Sequence, residues 1–552
     1  MGNRPNRSTD AAVDLLVEQI HTVWESKDHL ASVLSLDISG AFDTVNHIRL
    51  LDNLRRRGVP LWFVRTIRSF LTNRSTTLLV DGEEMVSRQL SAGVPQGSNL
   101  SPILFLFYNA PLLEALNMLD TPISPIGFAD DINLLTYSES LDINYINLEL
   151  AHEKCLDWAR THGMQFAPDK YKLTHFTRRR GLELTRPIQL GGVNIQPSSS
   201  IKVLGLQLDS DLQWKTQATK VETKMKTQAL AISRTTASTW GLPLRTARQV
   251  YTAVVRSSMA YRAPVWHVPS ETPAKGARGT AKNLQKHQQN CLRVVLGAFK
   301  STAVTKLEIE SYVPPLDLWL NSRVACYQAR LELSGVGQQI RDACAVIRSR
   351  ILARTQQRRR RTVSELQANM PGTKRKAWTE RWTGGRIEDW DQRAKGKVLA
   401  DWKDRWKAWR AKDIQPERDR RTPGTVPEAT IDTTPTAQIL KLHDGLRKAE
   451  SSMLVQVRTG SIGLRKHLHR RRVPGFATAQ CACGGGEETL RHMALVCEQE
   501  TNRRDRLWLA RGRPVTYRRL TGTPKGAKVF SEWMIKSGRL GQFSLARQLL
   551  YS

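Results

Sequence analysis

Acidic residues are scarce in this chain of 552 residues, where 51 aspartates and glutamates stand against 84 lysines and arginines. The formal net charge is therefore +33, and the sequence pI is about 10.3. Such a deficit of acids favours a polyanionic partner, because lysine and arginine displace the counterions of phosphate groups. Nucleic acid is the simplest candidate, although a ribosomal or chromatin protein has the same charge balance.

Cysteine is also scarce. The seven cysteines are unevenly placed, which argues against a disulfide framework and indicates a reducing compartment. Four of them lie in helical patterns and are predicted to be buried structural thiols: Cys155, Cys291, Cys326 and Cys344.

An uninterrupted apolar run long enough for a membrane span is lacking. The segment 100–119 has the length, but polar residues and prolines interrupt it, namely Pro102, Asn109, Pro111, Glu114 and Asn117. A buried core helix is therefore predicted there. The first seven residues lack the apolar centre of a signal peptide. We expect no membrane partner.

Two segments place acidic residues where a cation is needed. Apolar, β-prone runs flank the turn that carries Asp130 and Asp131, so a hairpin would hold both at its tip. Asp37 ends the apolar strand 31–38. If this strand lies beside the hairpin, Asp37 and Asp130 face each other, and a pair of Mg²⁺ ions would relieve their repulsion. A polar turn with two solvated acids is the simpler alternative for Asp130 and Asp131 alone.

Five segments in this order resemble motifs A to E of reverse transcriptases: Leu36-Asp-Ile-Ser-Gly-Ala-Phe-Asp43, Gly93-Val-Pro-Gln-Gly-Ser98, Phe128-Ala-Asp-Asp131, Asp169-Lys170 and Val203-Leu-Gly-Leu206. The residues of these segments are most similar to those of the enzymes of non-LTR (LINE-type) retrotransposons. The resemblance spans about residues 1–210. It implies an RNA-directed DNA polymerase with an α+β right-hand palm, an antiparallel sheet with packed helices, followed by a helical thumb.

The resemblance also implies roles for individual residues. Asp37 and Asp130 would bind two Mg²⁺ ions, for which Mn²⁺ could substitute, and Asp131 would be a less essential second acid. Lys170 would be the general acid for the pyrophosphate, although Lys172 could compete for this role. The substrate-binding residues would be Ile38, Phe42 as a steric gate against the 2′-hydroxyl, and Gln96 and Gly97 beneath template and nucleotide. The partners would be an RNA template, a DNA primer or target, and deoxynucleoside triphosphates.

Helix and strand signals mix in the first part of the chain and turn helical after Trp214. We predict a palm with partial fingers over 1–210 and a helical thumb and connection over 211–335. A basic, tryptophan-rich region with a linker is predicted over 336–440, and a mostly helical C-terminal region with a small zinc-binding module over 441–552.

The third of these regions supports two interpretations. Arginine and lysine clusters at 358–361 and 374–376 precede six tryptophans: Trp378, Trp382, Trp390, Trp402, Trp406 and Trp409. Arginines with interleaved aromatics can follow a phosphate backbone and stack on bases. The same pattern is typical of a basic helix that buries its tryptophans on a neighbour, which we favour for the tryptophans. Residues 416–436, rich in threonine and proline, are predicted to be a linker.

A second chemical signal lies near the end of the chain. Cys481, Cys483, His492 and Cys497 make a Cys₃His set, with the first two on a glycine-rich knuckle and the last two expected on one helix. Tetrahedral Zn²⁺ suits these ligands. The alternative is reduced surface thiols beside an unrelated helix. The spacing resembles the C-terminal zinc knuckle of LINE-type polyproteins, and the basic run 465–472 suggests contact with RNA or DNA, or only a solvated face.

Related elements often carry an endonuclease region and a ribonuclease H signature, and neither is found in this sequence. Because the chain begins close to motif A, we expect a truncated copy or a partial gene model, and a separate endonuclease would supply the nick. The first hypothesis is a reverse transcriptase. The second is a catalytically inactive remnant that only binds nucleic acid, and a weaker third is an intron-encoded maturase. We expect the protein to lie in the nucleus or cytoplasm, and this expectation rests only on its resemblance to reverse transcriptases.

Overall fold

The computed structural model describes residues 4–77, 79–81, 83–84, 87–269, 278–355, 371–419, 434–504 and 517–551. Helices and strands are mixed as far as residue 209, and every regular element described beyond it is a helix. The predicted α+β class, with a mostly helical second part, is confirmed.

The strands are β1 (Leu30–Ser39), β2 (Arg74–Thr76), β3 (Leu79–Val80), β4 (Glu83–Glu84), β5 (Arg88–Leu90), β6 (Ile123–Phe128), β7 (Asp131–Ser138), β8 (Gln165–Phe166), β9 (Lys172–Phe176), β10 (Ile188–Leu190), β11 (Val193–Ile195), β12 (Ser200–Val203) and β13 (Leu206–Asp209). The helices of this part are α1 (Thr9–Val23), α2 (His47–Arg56), α3 (Leu61–Leu71), α4 (Ser101–Asn117) and α5 (Leu141–His162). Next come α6 (Lys215–Ser233), α7 (Leu244–Val250), a π-helical turn at Tyr251–Val255, α8 (Arg256–Met259), α9 (Ala263–Trp266), α10 (Gly279–Leu296), α11 (Val304–Ser311), α12 (Leu316–Leu333) and α13 (Val336–Thr355). The last helices are Pro371–Thr383, Trp390–Asp419, Lys448–Thr459, Arg465–Arg470, Tyr517–Gly522, Pro524–Lys536 and Ser544–Tyr551.

A five-stranded antiparallel sheet forms the centre of the first part, in the order β6, β7, β1, β8, with β9 also paired to β1. Side chains alternate between the two faces of a strand. Accordingly, Ala31 and Val33 of β1 join a buried cluster with α1 and the later helices, whereas Leu34 and Leu36 join another with α2, α4 and α5. Both faces are thus covered, which explains why β1 is a nearly continuous apolar run.

Helix α1 begins at a local capping signal. Its first turn is capped by the Ser8 hydroxyl, which accepts a hydrogen bond from the Ala11 amide at 3.1 Å. Its apolar residues recur at helical spacing, and all of them are buried: Val13, Leu16, Val17, Ile20, Val23 and Trp24.

The helical pattern predicted after Trp214 is present, first as α6 and then as the continuous run from α7 to α8. Gly241 separates the two helices. It has φ +96°, and a Cβ there would lie 2.3 Å from the Thr235 carbonyl oxygen, so only glycine fits the turn.

The described part of the basic, tryptophan-rich region contacts helix α1. Arg375 pairs with Asp14 at 2.7 Å and with Glu18 at 3.5 Å, both on α1. The tryptophan side chains are buried at Trp378, Trp390, Trp402 and Trp406. The structural interpretation therefore holds for these tryptophans and for Arg375. The cluster 358–361 lies outside the described residues.

Helix Trp390–Asp419 runs through Pro416, the predicted start of the linker, and residues 420–433 lie outside the described part. The domain boundaries stay predictions. Among the described helices, none is both long and apolar enough to cross a membrane. The segment 100–119 forms α4, which buries one face in the core.

The four cysteines outside the C-terminal set are buried at Cys155, Cys291 and Cys344 and half-buried at Cys326. Burial raises the pKa of each of these four thiols to about 12.

Candidate active site and metal centre

Two acidic residues from separate segments line one open cavity of about 910 Å³. Asp37 lies near the end of β1, and Asp130 lies in the turn between β6 and β7. The cavity is also lined by residues after β1, by the loop before α4 and by the first turn of α4: Ile38, Gly40, Ala41, Phe42, Gln96, Gly97, Ser98, Asn99, Ser101, Pro102, Ile103 and Lys170. The predicted convergence of Asp37 and Asp130 is present.

The register of the sheet differs from the expectation in one respect. Between β1 and β7, the residue directly opposite Asp37 is Asp131. Between β6 and β7, Phe128 pairs with Asp131, which leaves a turn of Ala129 and Asp130. Ala129 has φ +55°, as a tight hairpin turn requires. Its carbonyl oxygen accepts a hydrogen bond from the Asn109 amide at 3.2 Å, which ties the turn to α4.

Asp131 has a different environment from Asp37 and Asp130. It is half-buried and is not part of the cavity wall. Burial raises the pKa of its carboxyl group, and the negative charges of Asp130 and Asp37 raise the pKa further. The three carboxylates therefore form a region of concentrated negative charge, in which Asp37 and Asp130 face the cavity.

Lys170 supplies a positive charge to this region. It ends the 3₁₀ turn Pro168–Lys170, and its ammonium group donates a hydrogen bond to Asp37 at 2.8 Å. This bond is the main reason that the pKa of Lys170 is raised. Lys172 begins β9 opposite Ser35 and does not line the cavity, so the geometry favours Lys170 over Lys172.

The glycine-rich loop 93–98 is held against the segment after β1 by backbone hydrogen bonds. The amide of Gly93 donates to the Val45 oxygen at 2.9 Å, and that of Val94 donates to Phe42 at 2.8 Å. A Cβ on Gly93 would lie 2.7 Å from the Asp43 carbonyl oxygen, so glycine permits this approach.

Gln96 and Gly97 both line the cavity, as predicted, but Gln96 has a partner that the motif does not indicate. Its side-chain amide donates to the two carboxylate oxygens of Asp43 at 2.9 and 3.0 Å. Gly97 has φ +88° and open space where a Cβ would lie. The sequence did not identify four further residues at or beside the cavity, although each belongs to or adjoins one of the motifs: Gly40, Asp43, Ser98 and Asn99.

Phe42 forms part of the cavity wall and is fixed by stacking. Its ring lies 5.1 Å from that of Phe105 on α4, with 26° between the planes. Ile38 also lines the cavity, but its side chain is only 3% exposed. Most of the Ile38 side chain therefore belongs to the core.

The four predicted metal ligands near the C-terminus come together. One ligand atom from each of Cys481, Cys483, His492 and Cys497 lies within 4.8 Å of all the others. The two sulfurs of Cys481 and Cys497 are 3.8 Å apart, which equals the edge of a Zn–S tetrahedron, about 3.8 Å. The set could hold a metal ion.

The local backbone explains how His492 and Cys497 reach the same point. His492 begins a π-helical turn that ends at Val496, and the Cys497 amide donates to the His492 oxygen at 2.7 Å. Cys497 thus lies just after the helix rather than within it, which corrects the expectation of one shared helix. The wider turn brings residues five apart to one side.

Arg539 adjoins this cluster from the far end of the chain. Its guanidinium lies 3.8 Å from the Cys481 sulfur and 3.9 Å from the Cys497 sulfur. Glu488 and Glu500 hold the same guanidinium at 3.3 and 3.2 Å. Arg539 therefore brings positive charge to a group of thiols. It belongs to none of the motifs recognised in the sequence.

Comparison with known proteins gives the family of the first part of the chain. Residues 1–208 match the family described as reverse transcriptase (RNA-dependent DNA polymerase). These residues are a reverse transcriptase domain. The domain is of the kind found in non-LTR retrotransposons, as the following relatives indicate.

A probable RNA-directed DNA polymerase from transposon BS of Drosophila melanogaster is 26% identical over 53% of this chain and 32% of its own length. The RNA-directed DNA polymerase from mobile element jockey of the same species is 25% identical over 57% of this chain and 34% of its own length. A Pol polyprotein from the type-1 element R2 of Popillia japonica is 32% identical over 36% of this chain and 34% of its own length. The chain thus matches about a third of each relative.

Among solved structures, a telomerase from Candida albicans is similar at 12% identity over 53% of each chain. The TM-score is 0.28, a similarity too low to define the fold.

Proposed function

We propose that the chain is an RNA-directed DNA polymerase that extends a DNA primer with deoxynucleotides on an RNA template. Residues 1–210 would act as the palm with partial fingers and residues 211–335 as the thumb and connection. The observation that carries the proposal is the position of Asp37 and Asp130 on one cavity together with Lys170, Gln96 and Gly97.

Asp37 and Asp130 would hold two Mg²⁺ ions, or Mn²⁺ in their place. Their carboxylates suit hard cations. Burial and, after it, the negative charges of Asp130 and Asp37 raise the pKa of the neighbouring Asp131. When bound, such ions promote attack by the primer 3′-oxygen and stabilise the leaving pyrophosphate.

The cavity wall would select and orient the nucleotide. Phe42, fixed against Phe105, would occupy the space that a 2′-hydroxyl needs and so exclude ribonucleotides. Gln96, held by Asp43, and Gly97, with no side chain, would support the nascent base pair.

Lys170 would donate a proton to the pyrophosphate. The hydrogen bond to Asp37 raises the pKa of Lys170, so release from Asp37 would make the ammonium a stronger acid, as proton donation requires. In the absence of nucleotide the ammonium is bound to Asp37, so it would have to transfer from Asp37 to the triphosphate.

The Cys₃His cluster would hold a structural Zn²⁺ ion, with Arg539 compensating the charge of the thiolates. Metal analysis of the purified chain would test this proposal. We expect one zinc per chain, absent from a Cys481→Ser, Cys497→Ser double variant, whereas a Cys155→Ser control would keep it.

The net charge of +33 supports nucleic acid as the partner. A separate endonuclease would supply the nicked target, and the nucleus or cytoplasm would be the place of action.

Primer extension on poly(rA)/oligo(dT) with Mg²⁺ tests the proposed activity. We expect extension by the wild type and by Asp404→Ala, a control at a 68% exposed acid, but none by Asp130→Ala. Salt-sensitive binding with no extension by the wild type would overturn the proposal and leave the inactive nucleic-acid-binding remnant.

A further inference from the structure

Helices α2 and α3 leave large apolar side chains in solvent. Ile48 is 79% exposed, Leu61 53% and Trp62 68%. The inner faces of both helices are buried in one cluster through residues such as Leu50 and Ile67. An exposed tryptophan beside other large apolar side chains is typical of a surface that binds a partner.

The Trp62 ring is held in place although it is exposed. It lies edge-to-face against Phe63, with ring centroids 5.5 Å apart, and Phe63 packs partly into the core cluster. An ordered, exposed ring can stack on another flat group without losing much conformational freedom.

The same helices are strongly basic. Residues 47–76 contain seven arginines and one acidic residue, Asp52. Asp52 pairs with Arg56, and Arg57 pairs with Glu114 of α4. Four exposed arginines make no ion pair with any described residue: Arg49, Arg55, Arg65 and Arg68. On α3, Arg65 is three residues from both Trp62 and Arg68, so it is a surface neighbour of each.

The α2–α3 face consists of Ile48, Arg49, Arg55, Leu61, Trp62, Arg65 and Arg68. Arginines interleaved with an aromatic ring suit single-stranded nucleic acid, since the ring stacks on a base and the guanidinium groups bind phosphates. A second copy of this chain is a poor partner, because two such faces would bring like charges together.

The face adjoins the cavity of the reverse transcriptase domain. The His47 ring, at the start of α2, donates to the Gly93 carbonyl oxygen at 2.8 Å. Arg74, three residues after α3, donates to the same oxygen at 3.5 Å. Gly93 begins the loop whose residues Gln96 to Asn99 line the cavity. Both ends of the helical pair are therefore anchored beside the nucleotide site.

We propose that the α2–α3 face binds the single-stranded RNA template ahead of the cavity, with Trp62 stacked on a base and Arg65 and Arg68 on phosphates. The inference rests on the proposed function, because a copied template is unpaired only ahead of the point of synthesis. It adds a template-binding surface that lies outside the motifs A to E.

Binding of the full chain to labelled primer–template duplexes without nucleotides tests the inference. The RNA template strand carries either no 5′ overhang or a long one. We expect the wild type to bind the overhang duplex more tightly. Trp62→Ala should lose about fivefold or more of that affinity, the contribution of one stacked base. An Arg65→Gln, Arg68→Gln double variant should bind the overhang duplex with a weaker dependence on salt. The slope of log affinity against log salt concentration should fall by about the contribution of two phosphate contacts.

Matched controls are Met118→Ala, an apolar side chain that is 83% exposed, and Arg386→Gln, whose side chain is 82% exposed. Both should bind the two duplexes as the wild type does. Unchanged preference for the overhang in Trp62→Ala, or an equal loss on both duplexes, would overturn the inference. A change only in oligomeric state or in binding of an acidic protein would also overturn it.

The result is separable from the proposed polymerase activity. If primers are extended but the overhang adds no affinity, only this inference fails. If the overhang effect is present but no primer is extended, only the proposed activity fails.

Discussion

The Lys170 ammonium lies 2.8 Å from a carboxylate oxygen of Asp37, although 133 positions separate the two residues in sequence. The contact joins the end of β1 to the 3₁₀ turn before β9, and β9 pairs with β1 in the same sheet. Asp37 therefore has a cation beside it before any nucleotide binds. Binding of metal and triphosphate would release Lys170 toward the leaving group.

Lys170→Ala should lower the rate of primer extension by about a hundredfold, the usual contribution of a positioned general acid. Lys170→Arg should restore the positive charge but little of the rate, because arginine does not readily give up a proton. Single-turnover incorporation measures both. Lys172→Ala is the control, and equal losses in Lys170→Ala and Lys172→Ala would contradict the role of Lys170.

Phe42→Ala should relax the selection against ribonucleotides. Removing the ring that stacks on Phe105 opens space beside the sugar, so incorporation of ribonucleotides relative to deoxynucleotides should rise by about tenfold or more. Competition between dTTP and UTP on a poly(rA) template measures the ratio. Phe70→Ala, at a ring that is 38% exposed, should leave it unchanged.

Arg375→Met should destabilise the chain by roughly 3–5 kcal/mol, because Asp14 and Glu18 would be left buried without their partner. The apparent melting temperature should fall, and proteases should cleave between the sheet domain and the helices after residue 371 more readily. Arg386→Met, on the surface, is the control. Equal melting temperatures for the two variants would show that the buried pairs do not hold these parts together.

The buried carboxyl group of Glu308 should make the stability of the folded chain depend on pH. Burial raises the pKa of this carboxyl from its ordinary 4.5 to about 8, so between these values the folded chain keeps a proton that the unfolded chain has lost. Stability should therefore fall as pH rises from about 4.5 to about 8, by on the order of a few kcal/mol. Thermal melts of Glu308→Gln should show a weaker fall over this window, and an identical pH profile to the wild type would exclude Glu308 as its source.

Arg539→Gln should release zinc faster than the wild type, because the guanidinium near the Cys481 and Cys497 sulfurs would lose its charge. Transfer of the metal to a chromogenic chelator measures the rate, independently of polymerase activity. Arg503→Gln, at a largely exposed arginine that pairs with Glu500, is the control. Equal release rates would limit Arg539 to a packing role.

Many elements were predictable because their signals are local. The Ser8 cap and apolar stripe of α1, the end of α5 at Gly163, and the hairpin that carries Asp130 each depend on residues close in sequence. The Cys₃His cluster was predictable for the same reason, since its four ligands lie within one short segment of the chain.

Other features needed the fold. The register that puts Asp131 opposite Asp37 is one of them. Because β1 is buried on both faces, its apolar pattern does not distinguish one register from the next. The docking of Arg375 on Asp14 and Glu18 joins residues more than 350 positions apart. A sequence pattern could not distinguish such an arginine from one that binds phosphate.

The sequence by itself determined the family of the first 208 residues and the identity of the two cavity-lining acids, because five short motifs each keep their chemistry within a few residues. Only the tertiary structure decided which lysine contacts Asp37, which basic residues are buried and which remain exposed on α2 and α3. These are properties of distance and burial, and they arise when segments far apart in sequence pack together.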